Sequence, residues 1–268
     1  MSRILCSTGA LIGRPNGRDY TLLRELCPQL KCDGLEFLMY DTWYGKEEAI
    51  SSFFKSLPLP VVTFHLEKQI GELISHDRLN DALDRMEINC ELAKSLGAEL
   101  LVLHLWNGII SDKNISYNID CYKYLSRIAE KYSLTLTVEN VVCNQQDPLT
   151  HLRELVRHYP DIMFTYDTKM AHFHRQSEEL YLKENRHLVP HIAHIHANDY
   201  GGGYKDWSNL RVLPIGQGGV DFDRFFSFLL DCGYRGDYTL EATCFNAEGK
   251  ISLDGLNSSI QKIQAYLS

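Results

Sequence analysis

Four side chains able to ligate a metal or move a proton close four separate apolar runs: Glu139, Asp167, His196 and Glu241. The runs read Leu134-Thr135-Leu136-Thr137-Val138-Glu139, Ile162-Met163-Phe164-Thr165-Tyr166-Asp167, Ile192-Ala193-His194-Ile195-His196 and Tyr238-Thr239-Leu240-Glu241. A charge at the end of one apolar run is ordinary. Four in succession, separated by helix-like segments, suggest that the run ends converge on one point. Three carboxylates and one imidazole around a point make a site for one divalent metal ion. Mostly oxygen ligation suits Mn2+, Mg2+ or Co2+, and the imidazole also admits Zn2+. Such a shell keeps open positions for a substrate with two adjacent oxygens, as in a hydroxy-ketone. The ion would polarise the carbonyl and stabilise the enediolate formed when a neighbouring C–H loses its proton. Glu139 and Glu241 are the candidate acid/base pair, one taking a proton and the other returning one.

Positioning four such groups requires an alternating chain. Strand-like runs fall at 4–7, 34–39, 61–66, 100–105, 134–139, 162–167, 192–197 and 238–241. Most are near-continuous apolar stretches, as parallel strands covered on both faces are. Helical periodicity lies between them, at 77–96, 117–132, 148–159, 222–230 and 253–267. Gly97 and Gly233 read as helix stops and Asp221 as an N-cap. Eight strands alternating with helices predict a single-domain (β/α)8 TIM barrel over residues 1–268, with a doubly wound open sheet as the alternative. The acids favour the barrel, whose active sites gather at the C-terminal ends of several strands. The segments 107–116, 140–147, 168–177 and 198–220 read as long loops on that face, where a substrate pocket is built.

Composition bounds the rest. The 268 residues are close to the roughly 250 typical of this barrel. Net charge is −8, from 27 basic and 35 acidic residues, so no nucleic-acid partner is expected. None of the eight cysteines forms a C-x-x-C pair, and most sit in apolar runs as small hydrophobes. No leader-like stretch and no run of ~20 apolar residues stands out, so no membrane partner is expected and the reduced cytoplasm is the expected compartment. A homo-oligomer is compatible with all of this.

The motifs Val138-Glu139-Asn140, Tyr166-Asp167-Thr168, His196-Ala197-Asn198-Asp199 and Leu240-Glu241-Ala242 resemble the xylose isomerase-like TIM-barrel superfamily. Its sugar (phosphate) isomerase/epimerase branch shares the scaffold with AP endonucleases. The resemblance implies one metal ion held by Glu139, Asp167, His196 and Glu241, with the two Glu as acid/base pair. It also implies a substrate contact at Arg211. The family's Asp-x-x-His on strand six is Asp167-Thr168-Lys169-Met170 here, so Lys169 and His172 are the candidates to replace that His. Gln145 stands where the epimerases often carry a second acid. The AP endonucleases hold three zinc ions, and Met170, Leu210 and Val212 stand where three of their ligands belong.

His65, His104 and Trp106, at or just past strand ends, are candidate pocket walls that bind substrate by hydrogen bonding and stacking. Glu36, Glu67 and Lys68 are further polar candidates. The glycines 201–203 and Gly216-Gln217-Gly218-Gly219 fit turn chemistry better than a phosphate nest. The reading is a metal-dependent isomerase or epimerase of a small sugar, polyol or hydroxy-ketone, so the expected partner is a small carbohydrate substrate. The alternatives are a dehydratase or lyase using the same chemistry, an AP endonuclease-like hydrolase, and a non-catalytic sugar-binding barrel.

Overall fold

The computed structural model describes residues 2–107, 112–246 and 249–268. The expected loop 107–116 lies partly outside them, at 108–111. Eight parallel strands close into one barrel in sequence order. They are β1 (Ile4–Ser7), β2 (Gly34–Leu38), β3 (Val61–His65), β4 (Leu100–Leu103), β5 (Thr135–Glu139), β6 (Met163–Asp167), β7 (Ile192–His196) and β8 (Asp237–Leu240). Closure is the pairing of β8 with β1, Ile4 beside Tyr238 and Cys6 beside Leu240. It is reinforced where the Asp237 carboxylate accepts from the Arg3 backbone N–H at 2.7 Å and from the Arg3 guanidinium at 2.9 Å.

The helices run in chain order as α1 (Thr8–Leu11), α2 (Leu23–Leu26), α3 (Glu47–Phe54), α4 (Gln69–Ser75), α5 (Leu79–Leu96), α6 (Ile115–Lys131), α7 (Pro148–His158), α8 (Thr168–Phe173), α9 (Phe222–Asp231) and α10 (Asp254–Leu267). The stop and cap residues act as expected. Gly97 ends α5 in the left-handed region at φ 84°, and Asp221 accepts from the Arg224 N–H at the start of α9. Two expectations need correction. β4 stops at Leu103, so His104 lies past the strand. The segment 168–177 is not simply loop, because α8 forms in it, nucleated where Asp167 Oδ1 accepts from the Met170 N–H at 2.9 Å.

Alternation along the strands divides two environments. One set of side chains packs outward under the helices; Tyr166 of β6, for example, stacks on Phe225 of α9 with ring centroids 5.9 Å apart. The other set fills the barrel, and around β5 to β8 it is polar. Thr137, Thr165, His194 and Thr239 each sit two residues before one of the four strand-end groups, and all are buried. They bond one another: Thr137 Oγ1 lies 2.7 Å from Thr165 Oγ1, and His194 Nε2 lies 2.9 Å from Thr239 Oγ1. The strand-end residues thus rest on a satisfied polar layer. Among the described residues, no helix is long and apolar enough to cross a membrane.

Gly71 shows how closely helices meet the barrel. A Cβ at Gly71, in α4, would overlap the carbonyl oxygen of His104 and the backbone of Leu105. Gly255 in α10 has open space at the same position. Gly71→Ala is therefore expected to lower unfolding stability by about 1–3 kcal/mol. Gly255→Ala should raise it by about 0.4–1 kcal/mol. Urea titration of the two variants checks both signs.

Candidate active site

The four strand-end residues converge, and His196 is their centre. Its Nδ1 lies 3.3 Å from Glu139 Oε1, 3.7 Å from Glu241 Oε2 and 4.0 Å from Asp167 Oδ2. Donors bound to a common ion at about 2.1 Å stand roughly 3–4 Å apart, so these spacings are those of a coordination shell. Glu139, Asp167 and His196 are 1%, 0% and 0% exposed, whereas the Glu241 side chain keeps 14% and faces the opening.

The opposite nitrogen of His196 explains the ring's orientation. Nε2 lies 3.0 Å from Glu36 Oε2, on β2 across the barrel. That same oxygen accepts from Thr239 Oγ1 at 3.2 Å and lies 3.3 Å from His194 Nε2. A metal-binding imidazole is ordinarily fixed this way, its far N–H given to a carboxylate so that the near lone pair faces the ion. Glu36 therefore anchors the ligand from below and does not line the pocket.

Two asparagines hold the acidic residues, Asn198 by their carboxylates and Asn140 by the Asp167 backbone. Asn198 Nδ2 donates to Asp167 Oδ2 and to Glu241 Oε2, each at 2.8 Å, and Asn198 Oδ1 accepts from the Glu241 N–H at 3.0 Å. Asn140 Oδ1 accepts from the Asp167 N–H at 2.6 Å, and its Nδ2 donates to the Asp167 carbonyl at 3.1 Å. The sequence contains the signal for both, each following a strand-end ligand by one or two residues. Their roles depend on contacts between strands, which no local pattern displays.

The electrostatics follow from three acids sharing a dry site. Burial alone would raise the Glu139 carboxyl, but His104 and His196 beside it hold it well below the usual range. Burial also pushes Glu241 up, yet the pull of His196, helped by Lys169 and Lys68, leaves it lowered. Asp167 is pushed up to about 6 by burial and by its neighbours Glu139 and Glu241, against the opposing pull of Lys169. Burial would lower His196, but Glu36, Glu241 and Glu139 around the ring raise it well above its ordinary value. Protons on His196 and Asp167 can balance the acids, and a divalent ion at the centre can do so in their place. The donor set, its spacing and the fixed Nδ1 all fit such an ion.

Glu139 also faces a second group. Its Oε2 lies 2.7 Å from His104 Nε2 and 3.4 Å from His65 Nε2. Burial pushes His104 down to about 4 despite that carboxylate. His65 Nδ1 lies 2.9 Å from the Leu66 carbonyl, so it donates there and leaves Nε2 facing Glu139. His65, His104 and Glu139 are themselves close enough to ligate a cation, and their donors can equally meet a substrate hydroxyl.

The other candidates fall in different places. Lys169, buried at 7%, is near enough to influence both Asp167 and Glu241. Trp106 is fully buried, donates to the Val141 carbonyl at 2.8 Å and packs on His151, so it supports the loop wall from behind and has no face left for stacking on a substrate. His172 Nδ1 lies 3.3 Å from Ser177 Oγ, and its ring meets Tyr200 edge-on, so it packs against the β7 loop. Arg211 is exposed on that loop, with no side-chain hydrogen bond or ion pair to the four strand-end groups among the described residues. A groove lined by Arg18, Tyr40, Asp41, Lys68 and Asn107 opens over the ends of β1 to β4, beside Glu241.

The glycines of the β7 loop are occupied by the protein itself. Asp199 accepts from the N–H groups of Gly216 and Gly218, each at 2.8 Å, and of Val220 at 3.1 Å. A Cβ at Gly218 would strike that carboxylate and the Tyr200 carbonyl. The nest therefore holds an internal anion and is not free for a phosphate.

Asn198 yields a direct expectation. Asn198→Ala removes two donors and one acceptor from buried partners, which should destabilise the metal-stripped protein by about 1–3 kcal/mol. Chemical denaturation in the presence of chelator measures it.

Comparison with known proteins agrees with the barrel fold. The family model described as xylose isomerase-like TIM barrel matches residues 25–263. A curated inosose dehydratase from Erwinia tasmaniensis is 23% identical over 254 residues, covering 88% of this chain and 78% of that protein. Among solved structures, a D-tagatose 3-epimerase-like protein superposes with a TM-score of 0.71 at 18% identity, covering 99% of this chain and 97% of the other. The IolI protein, solved with a bound zinc atom, superposes with a TM-score of 0.66 at 17% identity, covering 99% and 96%. The chain belongs to the xylose isomerase-like TIM barrel family.

Proposed function

We propose that this family member is a metal-dependent isomerase or epimerase acting on a small sugar, polyol or related hydroxy-ketone. The observation that carries the reading is the approach of Glu139 and Glu241 to one imidazole nitrogen from strands three steps apart, with Asp167 completing the set. Glu139, Asp167, His196 and Glu241 would hold one divalent ion. When bound, that ion supplies charge stabilisation at a carbonyl oxygen of the substrate. Glu139, held ionised by His104 and His196, is the residue suited to remove a proton from the carbon next to that carbonyl. Glu241, nearer the opening, is placed to return a proton from another side. His65 and His104 orient substrate hydroxyls, and Lys169 steadies the acids. The net charge of −8 and the internally filled glycine nest both favour a neutral carbohydrate over a nucleic acid or a phosphate bound at that nest.

A dehydratase is the second reading, favoured by the similarity to the inosose dehydratase. It needs the same proton removal, followed by loss of a hydroxyl from the next carbon. Product analysis separates the two: a deuterium-labelled stereoisomer or positional isomer marks isomerisation, and loss of water marks dehydration.

Metal content is the first test. The purified protein should carry, or rebind from Mn2+, close to one equivalent at this centre. Only a trace, with no rebinding, would sink the reading. Glu36→Gln should weaken that binding by about 10–100-fold, measured by chelator competition. Across a panel of ketoses and inosose-type polyols, Glu139→Gln should slow solvent deuterium exchange by about 10²–10⁴-fold with the circular dichroism spectrum unchanged. Full exchange activity in that variant would remove Glu139 as the base.

A further inference from the structure

Away from the barrel interior, another group of described residues brings ligand-type atoms together. Asp112, Cys143 and His151 are buried to 1%, 0% and 0% exposure. Their ligand atoms all lie within 4.8 Å of one another. Asp112 opens the short turn Asp112–Asn114 ahead of α6, Cys143 lies on the loop after β5, and His151 is near the start of α7.

His151 carries the strongest signal. Among the described residues, neither ring nitrogen has a hydrogen-bond partner. The nearest carboxylate oxygen, Asp112 Oδ2, is 3.8 Å from Nε2, beyond hydrogen-bond range. A buried polar group left unpaired is costly. The Asp112 contact does not account for the placement, because it leaves the other ring nitrogen, Nδ1, buried without a partner among the described residues. Asp112 is built in firmly. Its carboxylate accepts from the N–H groups of Asn144 at 3.0 Å, Gln145 at 2.7 Å and Gln146 at 3.4 Å. Cys143 donates its thiol proton to the nearby Val141 carbonyl, at 3.3 Å, and its sulfur also meets the Trp106 indole N–H.

From this geometry we propose that Asp112, Cys143 and His151 form a second divalent-metal site, suited to Zn2+, that clasps the loop after β5 to α7 and to the turn before α6. Zinc takes thiolate sulfur at about 2.3 Å, imidazole nitrogen at about 2.0–2.1 Å and carboxylate oxygen at about 2.0–2.2 Å. Ligands on one zinc stand roughly 3–4 Å apart, so the group needs only a small inward closure, and water would complete a tetrahedron. The thiol proton leaves to solvent as the sulfur–metal bond forms, so affinity rises with pH. This site differs from the strand-end cluster in one usable respect: it has a sulfur donor and the cluster has none.

Cobalt reads that difference. Co2+ added to the metal-stripped chain under reducing conditions should produce a thiolate-to-metal charge-transfer band in the near ultraviolet. The band should persist in Glu139→Gln, in which the strand-end cluster is impaired, and vanish in Cys143→Ser. His151→Asn should weaken Co2+ binding at the band by at least about tenfold. Absence of the band in the wild-type chain overturns the proposal, as does a band that survives Cys143→Ser. Should Cys143→Ser fail to fold, His151→Asn decides, and an unchanged band at unchanged affinity overturns it. None of these readings depends on catalysis, so the outcome is separable from the fate of the isomerase reading.

Discussion

Three carboxylates facing one imidazole nitrogen, in a place nearly closed to water, is the constraint to which the upper barrel answers. Like charges crowded at this spacing repel strongly once the solvent is gone. The structure meets the problem from two sides. His104, His196 and Lys169 supply positive or proton-donating neighbours on the open side. Asn198 donates to the Asp167 and Glu241 carboxylates without adding charge, while Asn140 brackets the Asp167 backbone. A divalent cation at the centre would complete the balance, and the proposed chemistry calls for one.

The polar layer beneath follows from the same constraint. An apolar barrel core would leave Glu36, His194 and the far side of His196 without partners, and buried unpaired polar groups are costly. Thr137, Thr165 and Thr239 replace the usual branched aliphatics there and bond their neighbours. The price is a less hydrophobic interior, and the outward-facing rings and aliphatics under the helices compensate. Asp167 shows the economy of the design: one oxygen starts α8 while the other faces the cluster.

Much of this was legible in the chain. Glu139, Asp167, His196 and Glu241 stand at strand ends because parallel strands read as apolar runs, and a charge closing such a run marks the barrel mouth. Glu36 was harder to read. It lies inside the run Gly34–Leu38, and only the barrel's curvature brings it under a residue 160 positions away. Trp106 looked like a stacking wall because it follows a strand by a few residues; its indole instead turned inward to the Val141 carbonyl. Arg211 carried a family role, but a loop position does not determine where a long side chain reaches. The glycines at 216–219 read better as turn than as phosphate nest, and Asp199 is what fills them. In each case the missing information was a contact between distant segments.

Barrel closure has a consequence in time. β1 pairs with β8 across more than 230 residues, Arg3 N–H meeting Asp237 as the seam forms. The strand-end ligands all lie between 139 and 241, while Glu36, which fixes His196, lies near the start. A growing chain therefore exposes its anchor long before it has anything to anchor. Until the eighth strand arrives, the first and seventh present open edges, and the seam that closes over the site is not formed. The burial that tunes the site is acquired in one late, non-local step, the kind that slows folding and leaves intermediates open to mispairing.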